Sequence, residues 1–345
     1  MKNIYLIAVF LLASVQLFAQ KDSSLVVFGY GDAYWKYDFA NQENIGTYFA
    51  NDQNSLSLGM LDVGLKKRTG KAHFVGELAF GPRGQYLSTP NGDGNDADAG
   101  NSFHIQNLYA SYDFTDKFSM TAGYMSTFIG YEVISPAGNF NYSTSYLFGA
   151  GPFQNAGVKA TYTFSDKLSL MAGLFDDWNV YHDFNGLSHI GAQLAYSPTE
   201  SLHTYLNFLS GSSSGGAANY SSGTLVDLVA DYDFSPKLSL ALNAADYNQR
   251  SKGGYQGLAL YPQYQLNEHV ALGLRAEYYS EKDSDTEQGS AYTAFTLSGQ
   301  LKYGGLTLIP ELRLDHHDQA TFLQKDGISP TKQAAQAVIA LVFAF

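Results

Sequence analysis

The chain has 345 residues, 45% hydrophobic and 15% aromatic, with 26 Tyr, 23 Phe, 34 Gly, no Cys and a formal net charge of −12. That much apolar and aromatic material excludes a disordered chain, and the lack of Cys excludes a disulfide scaffold, an iron–sulfur centre and any thiolate zinc site. The acidic balance argues against nucleic acid as a partner, because phosphate binding needs a basic footprint.

Lys2 and Asn3 precede an apolar run, Ile4 to Ala13, and Val15 to Ala19 then ends on a small residue before Gln20. This is the layout of a secretory signal peptide over residues 1–19, cut after Ala19. A spanning helix would take about 20 apolar residues, more than this run offers. Residues 20–345 are then expected to form one domain. No later segment approaches a helical membrane span, and long helical periodicity is absent.

Period-two alternation over roughly ten residues recurs instead, bounded by turn residues. The first strand is expected within FGYGDAYWKYDF, Phe28 to Phe39. In the second, Asn54 to Lys67, apolar residues occupy both faces. Further on, Val226, Leu228, Ala230 and Tyr232 oppose Asp227, Val229, Asp231 and Asp233. Val270, Leu272, Leu274 and Ala276 oppose Ala271, Gly273, Arg275 and Glu277. Leu306, Leu308, Pro310, Leu312 and Leu314 oppose Thr307, Ile309, Glu311 and Arg313. At the end Ala337, Ile339, Leu341, Phe343 and Phe345 share one face.

The connections alternate in length. Seven short turns, from Thr69-Gly70 to Gly304-Gly305, interleave with eight longer polar loops, which gives sixteen strands. The hairpins at Tyr112 to Met120, Tyr162 to Leu170, Tyr232 to Leu240 and Tyr264 to Leu272 repeat one pattern: aromatic residues, a polar turn, then an apolar alternation. Amphipathic rings at the headgroup level with wet turns beyond them account for it. A propeller would also repeat strands, but its loops need not alternate and its outer faces would be polar. The fold class is therefore all-β, a transmembrane antiparallel up-and-down β-barrel of about sixteen strands, with fourteen or eighteen as the alternatives. It must close, because an open sheet edge finds no partner in lipid.

The opening FGYGDAYWKYDF, the Tyr-x-Phe-turn hairpins and the terminal Phe345 resemble the outer-membrane β-barrel porins of the OmpL-like type, over essentially the whole chain after the leader. The resemblance implies a Gram-negative outer-membrane location and a channel role. It carries over no substrate and no catalytic residue. Phe343 and Phe345 look like the terminal signal read by the barrel-assembly machinery. Many porins form trimers, so a homotrimer in outer-membrane lipid is a further expectation.

A sixteen-stranded barrel leaves an aqueous lumen. The alternation places Asp227, Asp231, Arg275, Glu277, Lys302, Glu311, Arg313 and Asp315 on its wall, as candidate pore-lining residues. Lys66, His73, Glu77 and Arg83 are expected to join them, with Asp32 and Lys36 on the more ambiguous first strand. Such charges either select solutes through a transverse field or simply pair and hydrate the lumen. Net acidity favours cations if the pore is open. The aromatic loop Tyr131 to Pro152 is expected either to fold into the lumen or to cap the outer rim.

No catalytic, cofactor or metal site emerges. Gly211-Ser212-Ser213-Ser214-Gly215 matches the nucleophile-elbow spacing but lacks the strand–turn–helix context. In Asp315-His316-His317-Asp318 adjacent side chains on a strand point to opposite faces. The acidic stretch Asn91 to Gly100 fails the EF-hand pattern at Ala97. The expected function is passive diffusion of small hydrophilic solutes or ions. The alternatives are a non-conducting structural or adhesive barrel and an outer-membrane hydrolase.

Overall fold

The computed structural model describes residues 22–85, 103–180, 183, 186–213, 222–249 and 252–345. The expected leader at residues 1–19 and the acidic stretch at 91–100 lie outside them. The strands are β1 (Val26–Asp38), β2 (Leu56–Thr69), β3 (Ala72–Phe80), β4 (Phe103–Asp113), β5 (Phe118–Ser126), β6 (Gln154–Ser165), β7 (Leu168–Phe175) and β8 (His189–Thr199). They continue as β9 (Leu202–Gly211), β10 (Gly223–Ser235), β11 (Leu238–Asn248), β12 (Gly254–Gln265), β13 (Val270–Glu281), β14 (Ala291–Tyr303) and β15 (Leu306–His317). Two-residue strands β16 (Phe322–Leu323) and β17 (Pro330–Thr331) decorate an outer loop, and β18 (Gln333–Ala344) ends the series.

Each barrel strand pairs antiparallel with its chain neighbours, and β1 pairs with β18 to close a sixteen-stranded ring. The seam is completed where Gly29 N donates to Phe345 O at 3.1 Å and Phe345 N donates to Gly29 O at 2.9 Å. Every barrel strand thus has a partner on both edges, the condition for crossing lipid.

The two faces separate by chemistry. On β15 Leu306, Leu308, Leu312 and Leu314 point outward and are 37–54% exposed, while Glu311, Arg313 and Asp315 point inward and are buried. On β10 Val226, Leu228, Tyr232 and Phe234 point outward, and Leu225, Asp227 and Val229 inward. An outer surface this apolar is untenable in water and fits a bilayer. At the short-turn end the repeated Tyr-x-Phe pairs stand outward and pack edge-on. Their ring centroids are 5.0 Å apart for Tyr112–Phe114, 4.9 Å for Tyr162–Phe164 and 4.7 Å for Tyr232–Phe234. They form an aromatic girdle at one interface.

The double-faced second strand has a local cause. The β1–β2 register slips between Gly31 and Ala33, so β2 carries a bulge near Gly59–Met60. Leu56 and Leu58 face outward before it, and Leu61, Val63 and Leu65 after it. The extra residue inverts the parity. A Cβ at position 59 would overlap the Asp32 carboxylate. That carboxylate accepts from Met60 N at 3.0 Å and pins the bulge.

Leu297 sits mid-strand on β14, outward and 50% exposed. Leu297→Arg is expected to destabilise the barrel by about 2–4 kcal/mol, read by urea unfolding in lipid vesicles. An unchanged midpoint would mean that this face does not contact lipid.

Candidate functional site

The β5–β6 connection, residues 127–153, turns into the barrel. It holds a short 3₁₀ turn, Pro136–Gly138, and a short helix α2, Tyr146–Ala150; the β3–β4 connection holds α1, Pro82–Gln85. Ser145 caps α2, its hydroxyl accepting from Phe148 N at 3.0 Å and donating to Glu132 Oε2 at 2.8 Å. Phe128, Ile129 and Leu147 of the loop are buried in one cluster with the wall residues Phe175 and Leu209, and Phe153 in another with Tyr30 and Met60.

A loop that leaves water must find partners for its backbone. Here they are the acidic and basic side chains of β13 and β15. Arg275 Nη1 donates to Glu132 Oε1 at 2.7 Å and to Ser143 O at 2.6 Å. Arg313 donates from Nη1 to Thr144 O at 2.7 Å and from Nε to Asp315 Oδ1 at 2.8 Å. Glu277 accepts from Tyr146 N at 3.1 Å and Leu147 N at 2.9 Å. Glu311 accepts from Tyr142 N at 2.8 Å and Ser298 Oγ at 2.8 Å. The Tyr146 hydroxyl donates to Asp315 Oδ2 at 2.6 Å. Charge-assisted bonds of this kind are roughly twice as strong as neutral ones.

The loop also bonds groups on either side of β13 and β15 in the ring. Tyr142 donates its hydroxyl proton to Asp32 on β1. Arg83 Nη1 donates to Ile134 O at 3.2 Å, and Gly130 N to Asp227 Oδ1 at 3.0 Å. Leaving the wall between β5 and β6, the loop therefore crosses the lumen to bonds on β1, β15, β13 and β10. A cavity of about 500 Å³ opens on the long-loop side, with Tyr48, Trp178, Tyr255 and Glu281 in its wall. Another, of about 340 Å³, lies on the short-turn side beneath the loop.

The residues singled out from the alternation divide into two groups. Arg275, Glu277, Glu311, Arg313 and Asp315 point inward but lie at 0–3% exposure, covered by the loop. Asp227 is likewise buried, holding Asn207 Nδ2 at 2.7 Å besides Gly130. Asp231 and Lys302 line the lower cavity and keep water access. Phe343 and Phe345 face outward with ring centroids 6.0 Å apart. Asp315 and His317 point inward and His316 outward. Among the described residues no group of three His, Cys, Asp or Glu side chains is placed to hold a metal. Ser214 and Gly215 of the Gly/Ser loop lie outside the described residues.

Alternation did not single out Glu132, the partner of Arg275. The available signal was that Glu132 is the one charged residue in the stretch from Tyr131 to Pro152.

Residues 24–345 match the family model described as putative beta-barrel porin-2, OmpL-like. The chain belongs to this family. It is an outer-membrane porin, a channel of the Gram-negative envelope. No curated protein matches the porin's sequence. Solved structures share its fold at low identity. An anion-selective porin from Comamonas acidovorans aligns with a TM-score of 0.62 and 13% identity over 94% of this chain and 100% of that one. The outer-membrane channel DcaP of Acinetobacter baumannii gives 0.57 and 13% over 93% and 97%. OmpT of Vibrio cholerae, an outer-membrane protein in a trimer form, gives 0.56 and 10% over 93% and 99%.

Arg275→Ala would leave the porin's Glu132 as a buried charge without its cation, at a cost of about 3–5 kcal/mol. The variant is expected to raise single-channel conductance and to expose residues 127–153 to protease. Unchanged conductance with an intact, protease-resistant loop would show that the pair does not hold the brace.

Proposed function

We propose that this porin passes small hydrophilic solutes and ions passively, with a preference for cations. The supporting observation is the charge at the crossing. Around the inserted loop the guanidiniums of Arg83, Arg275 and Arg313 face the carboxylates of Asp32, Glu132, Glu277, Glu311 and Asp315. The excess of carboxylates lies buried around the inserted loop beside the lumen, where low-dielectric surroundings let fixed charge act on a permeating ion. The net charge of −12 has the same sign. One fold neighbour is an anion-selective porin; selectivity resides in wall side chains, not in barrel shape. In this reading passage makes and breaks no bond, and Asp231 acts as a lining charge, with Lys302 opposite in sign.

Reversal potential in a salt gradient across a planar bilayer tests the proposal. A cation-favouring sign is expected, moving toward zero in an Asp231→Asn, Asp233→Asn double variant. An anion-favouring sign overturns the preference, and the absence of discrete conductance steps from well-folded barrels overturns the open channel.

Three further proposals concern biogenesis and assembly. The leader, residues 1–19, is removed, so mass spectrometry of outer-membrane protein should find Gln20 at the amino terminus; an intact Met1 would refute this. Phe343 and Phe345 present the outward aromatic end of β18 to the barrel-assembly machinery. The barrels associate as a homotrimer in the outer-membrane lipid, as the trimer form of the Vibrio cholerae neighbour suggests.

A further inference from the structure

We infer that the cavity beneath the inserted loop binds a neutral, polyhydroxylated solute of sugar type. This names the solute class for the proposed channel and rests on that reading. The cavity, about 340 Å³, is of ligand size. Its wall combines aromatic faces, Phe128, Tyr131, Phe140 and Tyr205, with side-chain amides from β8, β9, β12 and β14.

The amides decide the chemistry. Each offers both a donor and an acceptor, as each hydroxyl of a sugar does. Gln193 and Asn207 are linked by a 2.8 Å hydrogen bond, and Gln193 is also tied to Phe128 O at 3.3 Å. Gln300 Nε2 donates to Phe140 O at 3.0 Å. These bonds fix the amides in place, so the wall is set before any solute arrives.

Gln263 supplies the independent observation. The residue is buried, only 7% exposed, and it lines the cavity. Its Nε2 donates to the Tyr131 hydroxyl at 3.4 Å, while its Oε1 has no hydrogen-bond partner. A buried acceptor left unpaired is costly, and a solute hydroxyl donating to it removes that cost. Tyr131 itself is held by a tilted ring contact with Tyr261, centroids 4.5 Å apart and planes at 42°, so its hydroxyl proton is presented from a held ring. The aromatic faces suit the C–H faces of a pyranose. The charges do not favour an ion here: Asp231 and Asp233 share the cavity rim with Lys237 and Lys302.

Isothermal calorimetry on the detergent-folded barrel tests this, using glucose and maltose as probes and lysine hydrochloride as the charged control. Binding of at least one sugar with Kd on the order of millimolar is expected. Gln263→Leu, which removes the amide, and Tyr131→Phe, which removes only the hydroxyl, should each weaken it about fivefold, the size of one hydrogen bond. Heat-modifiability on gels checks that both variants fold. No binding of either sugar to folded wild-type barrel overturns the inference, as does undiminished, wild-type affinity in both variants or stronger binding of lysine. Conductance without sugar reports separately on the open channel, so failure of the sugar site and failure of the channel are told apart.

Discussion

The constraint on which this structure depends is that a backbone amide inside a bilayer has no water to bond. A helix answers it within one segment, and a sheet answers it only by closing on itself. Sixteen antiparallel strands with β1 joined to β18 are that answer. Closure in turn fixes two chemically opposite faces, since successive side chains alternate across the wall. The apolar outer band, the Tyr-x-Phe girdle and the charged interior all follow from one closed ring meeting lipid outside and water within.

Closure also creates a wide interior that needs filling or narrowing. The β5–β6 loop does this by the rule that governs any buried backbone: its polar groups are matched. Carboxylates on β13 and β15 accept its amides, guanidiniums on the same strands take its carbonyls, and Glu132 returns a charge to Arg275. Inward charges on a barrel wall therefore do more than hydrate the lumen. Several of them serve as the docking surface of an internal strut, and those left uncovered face the solute.

Much of this was legible in the sequence because barrel physics writes itself locally. The alternation of Leu306–Leu314 against Glu311 and Arg313, and the short-long rhythm of connections, need no knowledge of distant residues. The β2 strand was opaque for a local reason of a different kind. The bulge at Gly59 inverts parity near the start of the strand, so a single period-two template cannot fit both sides of it. The inserted loop was opaque for a long-range reason. Alternation reports which side of the wall a residue faces, but not what lies against it. Arg275 and Glu132 are separated by 143 positions. Only the closed ring brings them together.

The seam between β1 and β18 has a kinetic consequence. Fourteen other barrel strands lie between its two halves in the chain. Every other adjacent pair in the wall can form as a local hairpin or with a near neighbour, whereas this pairing waits until both ends are laid down. Until then two unpaired edges stand open at once, one on each end strand. Those edges are the ones able to pair with a foreign strand. The chain is thus most vulnerable to misassembly just before its last step, when all but one of its ladders are already made.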